Sequence, residues 1–142
     1  MDTERFERAI ALRDAGKVEE ALQTLTALAD STPDPRERAS IILNTATCLT
    51  IMRRFDEARD WQREAVKVSP TVEIRASAEF GEAGITALEG NDAQALIEFE
   101  SCLADAEKGQ IPKKHICGWL AVTARSLGMK EDAERYDRLA ER

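Results

Sequence analysis

Glycine and proline are scarce in this chain, at seven and four of 142 residues. Beside them stand only four Phe, two Trp and one Tyr. An all-β fold needs frequent turn punctuation between β-branched and aromatic runs, and this composition does not supply it. Histidine occurs once, at His115, which removes histidine relays, triads and multi-histidine metal sites. Cys48, Cys102 and Cys117 are an odd number with no CxxC spacing, so neither a disulfide framework nor a zinc site is indicated. No apolar run approaches the roughly 18 residues of a membrane span. Met1-Asp2-Thr3-Glu4-Arg5 is charged, where a secretory leader would be basic and then apolar. Gly81 and Gly84 fall inside a helical stretch instead of after a strand, so no phosphate-cradling loop is present. These absences point to a soluble, cytoplasmic protein with no membrane partner, no cofactor, no metal and no enzymatic activity.

What the chain does have is Ala, Leu, Glu and Arg in abundance, which favours helix. Apolar residues make up 43% and charged residues 33%. The net charge of −7 is unevenly spread. Cut at the repeat boundaries given below, four successive blocks carry −4, +2, −7 and +2. Duplex nucleic acid requires a continuous basic surface, and this alternation excludes it as a partner. Paired carboxylates such as Glu79 with Glu82, or Glu98 with Asp105, fit a solvated helix face better than acid/base catalysis.

The chain repeats itself. Ala21, Ala58, Ala95 and Ala133 recur at spacings of 37, 37 and 38, and twelve residues before each lies Ala9, Ala46, Ala83 or Ala121. Two antiparallel helices approach closely only where side chains are small, which explains an alanine on each helix at the crossing. Five residues before the second alanine stand Gly16, Arg53, Gly90 and Gly128. Glycine there permits the left-handed backbone that closes a helix. Pro33 and Pro70 follow the second helix of the first two blocks and cannot continue it. The pattern predicts first helices near 3–15, 35–52, 71–89 and 113–127, and second helices near 18–30, 55–68, 92–107 and 130–141. Asp34-Pro35-Arg36-Glu37 reads as a capping box with proline at the first helical position. Asn91 or Asp92 is expected to cap the helix after Gly90, and residues 109–112 to form a mobile loop.

On these residues the chain resembles the tetratricopeptide-repeat family. Ala15-Gly16-Lys17-Val18-Glu19-Glu20-Ala21-Leu22 and Arg53-Arg54-Phe55-Asp56-Glu57-Ala58 are similar to its inter-helix turn, and Phe99 matches its aromatic position. Leu25, Gln62 and Asp137 replace that aromatic elsewhere, and the repeat is longer than the usual period of about 34. The resemblance implies an all-α fold: a right-handed α-solenoid of four antiparallel helix pairs. It would form one domain over 1–142, with repeats near 1–34, 35–71, 72–108 and 109–142.

The resemblance also implies a concave groove lined by the first helices. Its expected lining is Phe6 and Ile10 with Arg13, then Leu43, Asn44 and Thr47 with Thr50. Phe80 and Gly84 with Ala87 follow, and then Trp119, Val122 and Arg125. Such a surface is mostly apolar, with Phe6, Phe80 and Trp119 as large anchors, and suits a peptide or helical segment of a partner protein. The family's carboxylate clamp finds one match here, Asn44, because Phe6, Ile10, Ser77 and Gly81 hold the other positions. Gly84, facing Phe80, is expected to let neighbouring helices come close. Cys48 and Cys102 are expected to pack as small apolar groups, with Cys117 the reactive thiol. The expected function is therefore a protein–protein interaction module. The alternative is a self-assembling structural protein, a homodimer in the simplest case, whose groove or C-terminal end is occupied by a second copy.

Overall fold

Four turns built on one plan organise the chain, as a computed structural model shows. It describes residues 1–106 and 111–141. In each turn the residue five before the recurring second-helix alanine has positive φ: Gly16 at 87°, Arg53 at 62°, Gly90 at 87° and Gly128 at 75°. The following N–H then folds back onto the first helix. Lys17 N donates to the Leu12 carbonyl at 2.8 Å and Arg54 N to Leu49 at 2.9 Å. Asn91 N does so to Thr86 at 3.2 Å and Met129 N to Ala124 at 2.9 Å. These bonds satisfy carbonyls that a helix end leaves without partners. The carbonyls of Lys17, Arg54, Asn91 and Met129 next accept from Ala21, Ala58, Ala95 and Ala133, at 3.0–3.1 Å, and so start the second helix.

The helices are α1 (Thr3–Asp14), α2 (Val18–Asp30), α3 (Pro35–Ile51), α4 (Phe55–Val68), α5 (Val72–Leu88), α6 (Asp92–Ala104), α7 (Lys113–Ser126) and α8 (Lys130–Ala140). Every start and stop falls within three residues of the expected one, and the described residues contain no strand. Of the loop expected at 109–112, residues 109 and 110 lie outside the described residues. Asp34 caps α3 by accepting from Glu37 N at 3.0 Å, with Pro35 in the first turn. Glu37 does not complete the box, because its carboxylate meets the Met1 amine at 2.9 Å. Asn91 occupies the N-cap position of α6 but makes no side-chain capping bond. The same holds for Lys17, Arg54 and Met129, because in all four hairpins the backbone turn does the capping.

The chain divides into two compact units, Met1–Ile74 and Arg75–Arg142. In the first, the hairpins α1/α2 and α3/α4 are joined by packing of α2 on α3. Its core holds Leu25, Leu28, Ile41, Ile42 and Cys48 among the crossing alanines, and takes in Ile74 from the start of α5. In the second, α6 packs on α7, and Phe99, Leu96, Ile116, Leu120 and Tyr136 form the core. All eight recurring alanines are at most 1% exposed. Burial this complete is what a close helix crossing at a small side chain produces.

The position that Phe99 fills shows how the repeats diverge. Leu25 and Phe99 are fully buried there, whereas Gln62 is buried with its Oε1 unpartnered. Asp137 instead lies half-buried and pairs with Arg125. The last helix turns its thin apolar stripe inward, burying Ala133 and Tyr136, and the Tyr136 hydroxyl donates to Glu100 at 3.0 Å. Among the described residues, no helix is long and apolar enough to cross a membrane.

Candidate functional site

In the second unit α5 and α7 bring together three of the residues expected in the groove. Phe99 of α6 stands fully buried between two aromatic neighbours. Phe80 of α5 meets it edge-on, with ring centroids 5.8 Å apart and planes at 65°. Trp119 of α7 stacks on it at 5.4 Å and 17°. Both geometries suit the aromatic quadrupole. Phe80 and Trp119 are half-buried, so each ring has one side in the core and another at the surface.

That outer side forms an open hollow of about 580 Å³, lined by Phe80, Lys114, His115, Gly118, Trp119 and Val122. Val122 is 57% exposed. Gly118 contributes the space itself: a Cβ built there would meet nothing within 4 Å. The α7 members lie at 114, 115, 118, 119 and 122, one helical stripe. That stripe was present in the sequence, but Lys114, His115 and Gly118 carry no apolar signal and were missed.

Two other expected lining residues are placed differently. Arg125 does not line the hollow, because its guanidinium is paired with Asp137 of α8. Gly84 is not among its walls either, and a Cβ there would again meet nothing within 4 Å. No close helix approach requires glycine at 84, so the packing role expected for it does not hold.

In the first unit the expected residues lie on α1 and α3. Phe6 and Leu43 pack partly against the core, and Ile10 is half-buried. The Asn44 amide is engaged at both ends: Oδ1 accepts from Arg13 at 3.0 Å and Nδ2 donates to the Ser40 carbonyl at 2.9 Å. Its fit to a carboxylate clamp is thus taken up by a contact between α1 and α3. Thr47 is exposed, and its hydroxyl donates to the Leu43 carbonyl at 3.1 Å. A separate hollow of about 410 Å³ in this unit is lined by Trp61, Ile42 and Val68 together with Asp30, Arg38 and Glu64. Its mixed wall of ions and apolar groups defines no single ligand chemistry.

The acidic face of the second unit surrounds Cys102. Glu79, Glu82, Glu98, Ser101 and Cys102 line a small hollow of about 140 Å³, and Glu98 accepts from the Thr86 hydroxyl at 2.9 Å. Burial, reinforced by the charges of Glu79, Glu98 and Asp105, pushes the Cys102 thiol up to about 11. Burial likewise raises Cys48 and Cys117, each partly offset by a neighbouring cation, Arg13 and Lys113. Cys117 is fully buried. A buried thiol with a raised pKa is a poor nucleophile, so the reactivity expected of Cys117 is corrected. Among the described residues no group of three or more His, Cys, Asp or Glu is placed to hold a metal ion.

The chain matches no known family profile and no curated relative. Its likeness is to solved structures. MamA of AMB-1 superposes with a TM-score of 0.62 at 15% identity, over 96% of this chain and 75% of that one. Another MamA crystal structure gives 0.64 at 14%, over 96% and 74%. A tetratricopeptide repeat protein from Parabacteroides merdae gives 0.64 at 16%, over 94% of this chain and 50% of its own. At such identities the likeness concerns the fold, which is that of tetratricopeptide-repeat proteins.

Proposed function

We propose that this tetratricopeptide-like chain is a non-catalytic interaction module that receives a segment of another protein on the α5/α7 face of its second unit. The open apolar hollow carries the reading. Aromatic walls whose inner sides are locked into the core form a rigid surface, and rigid aromatic anchors lose little conformational entropy on binding. Phe6, Ile10, Leu43 and Thr47 offer a second, separate contact face on α1 and α3 of the first unit.

Phe80 and Trp119 are poor test sites, because both also support Phe99. Val122 is the better one, since its side chain points largely to solvent. Val122→Glu should leave the circular dichroism spectrum and melting midpoint unchanged, while abolishing capture of proteins that the wild-type chain retains from its native host. A folded Val122→Glu protein that still captures the same set would refute the reading. The self-assembly alternative draws on Ile97, at 61% exposure the least covered of the large apolar side chains described. A monomeric mass by light scattering across a wide concentration range would dismiss it.

A further inference from the structure

The hollow between α5 and α7 is apolar in its walls and basic at one end. Lys114 and His115 belong to its lining, and Lys113, exposed one residue before them, lies at the same end of α7. The α7 sequence Lys113–Ser126 holds no acidic residue at all. Its first turn therefore carries two lysines with no carboxylate of its own helix to neutralise them. Of the carboxylates on α5, Glu79 and Glu82 line the separate hollow beside Cys102. Arg125 at the far end of α7 is already paired with Asp137. Among the described residues that line the hollow, the charged side chains are thus of one sign and at one end. The block 72–108 that precedes it carries the chain's strongest negative charge, −7.

An apolar occupant with no charge would leave those cations in water and gain nothing from them. A basic occupant would bring like charge against Lys114. We propose that the hollow takes a partner segment presenting one bulky apolar side chain and, within one helical turn of it, an acidic side chain. The apolar group fills the space left by Gly118 against Phe80, Trp119 and Val122, and the carboxylate meets Lys114 at the start of α7. Complementary charge of this kind sets orientation and association rate more than total affinity. This inference rests on the interaction role proposed above.

The test is a library of random dodecapeptides displayed on phage, panned against the full chain and two variants. Gly118→Leu fills the hollow from a position whose Cβ has free space, and exchanges a mid-helix glycine for a strong helix former. It should melt no lower than wild type. Lys114→Glu reverses the rim charge at an exposed residue. The wild type should enrich peptides that pair a large apolar residue with Asp or Glu within four positions. Synthetic versions should bind Gly118→Leu and Lys114→Glu about tenfold more weakly or worse, and should weaken with added salt. Enriched peptides that lack acidic residues yet are lost on Gly118→Leu would overturn the charge inference and leave the hollow as the binding site. Peptides that bind Gly118→Leu as well as wild type would overturn both. Absence of enrichment, or a dimer that Gly118→Leu converts to monomer, would overturn the acidic-segment inference, the latter by showing that a second copy fills the hollow.

Discussion

Phe99 offers the sharpest test of how the second unit is held together. Its ring is fully buried and touches two aromatic partners, Phe80 at 5.8 Å and Trp119 at 5.4 Å. Truncating a buried phenylalanine to alanine costs about 3–5 kcal/mol, through lost transfer energy and the cavity that remains. Favourable aromatic pairs add about 0.5–1.5 kcal/mol beyond burial. Two such pairs end here, one stacked and one edge-on, so Phe99→Ala should fall in the upper part of that range, about 4–5 kcal/mol. Total stability of a small domain is about 5–15 kcal/mol, so the variant should be close to unfolding. Phe99→Leu keeps most of the volume and loses both ring contacts, and should cost less, about 1.5–2.5 kcal/mol. Urea denaturation followed by circular dichroism measures both. A Trp61→Phe background makes Trp119, the stacking partner, the sole tryptophan reporter. A loss below about 1.5 kcal/mol for Phe99→Ala, at unchanged denaturant slope, would refute the claim that this ring organises the α5–α6–α7 packing.

Arg53 takes φ 62° where the equivalent turns have glycine. The left-handed conformation costs an L-residue about 1–2 kcal/mol, while its guanidinium over Phe55 at 5.2 Å returns about 0.5–1. Arg53→Gly should therefore stabilise by up to about 1.5 kcal/mol in thermal melts, and a lower midpoint would contradict it. Ala95→Leu should overpack the α5/α6 crossing and cost about 1–3 kcal/mol, whereas Ala104→Leu, exposed at the end of the same helix, should stay within about 0.5. Equal effects at the two sites would show that the buried alanines are not set by helix approach. The Cys102 thiol, raised from 9.0 to about 11, keeps its proton more firmly folded than unfolded. Its contribution is complete below pH 9 and is lost as the pH rises through about 11, up to about 2–3 kcal/mol. Stability measured from pH 8 to 11 should fall more steeply for wild type than for Cys102→Ala, and parallel curves would refute the assignment.

Helix boundaries, turns and crossing alanines were legible in the sequence because each depends on residues close along the chain. A residue at positive φ (glycine in three turns, Arg53 in the other), the carbonyl that its successor caps and the alanine five residues on are close along the chain, and the arrangement recurs four times. Periodicity also separated helix from strand without any knowledge of contacts. The tertiary structure alone decided what the side chains meet. Asn44 is tied to Arg13 across 31 residues, and Arg125 to Asp137 across 12. The first separation has no local signature, and the second matches the repeat's helix-to-helix register without saying which side chains meet there. Phe80 and Trp119 could be read from sequence as core or as surface, and packing on Phe99 from two sides makes them both. Cys117 gained its burial from neighbours on other elements, and Lys114, His115 and Gly118 became a site only when α7 was set beside α5. Local backbone preferences are short-range and survive in a linear reading. A pocket is made by apposition of surfaces, and the sequence order does not contain that apposition.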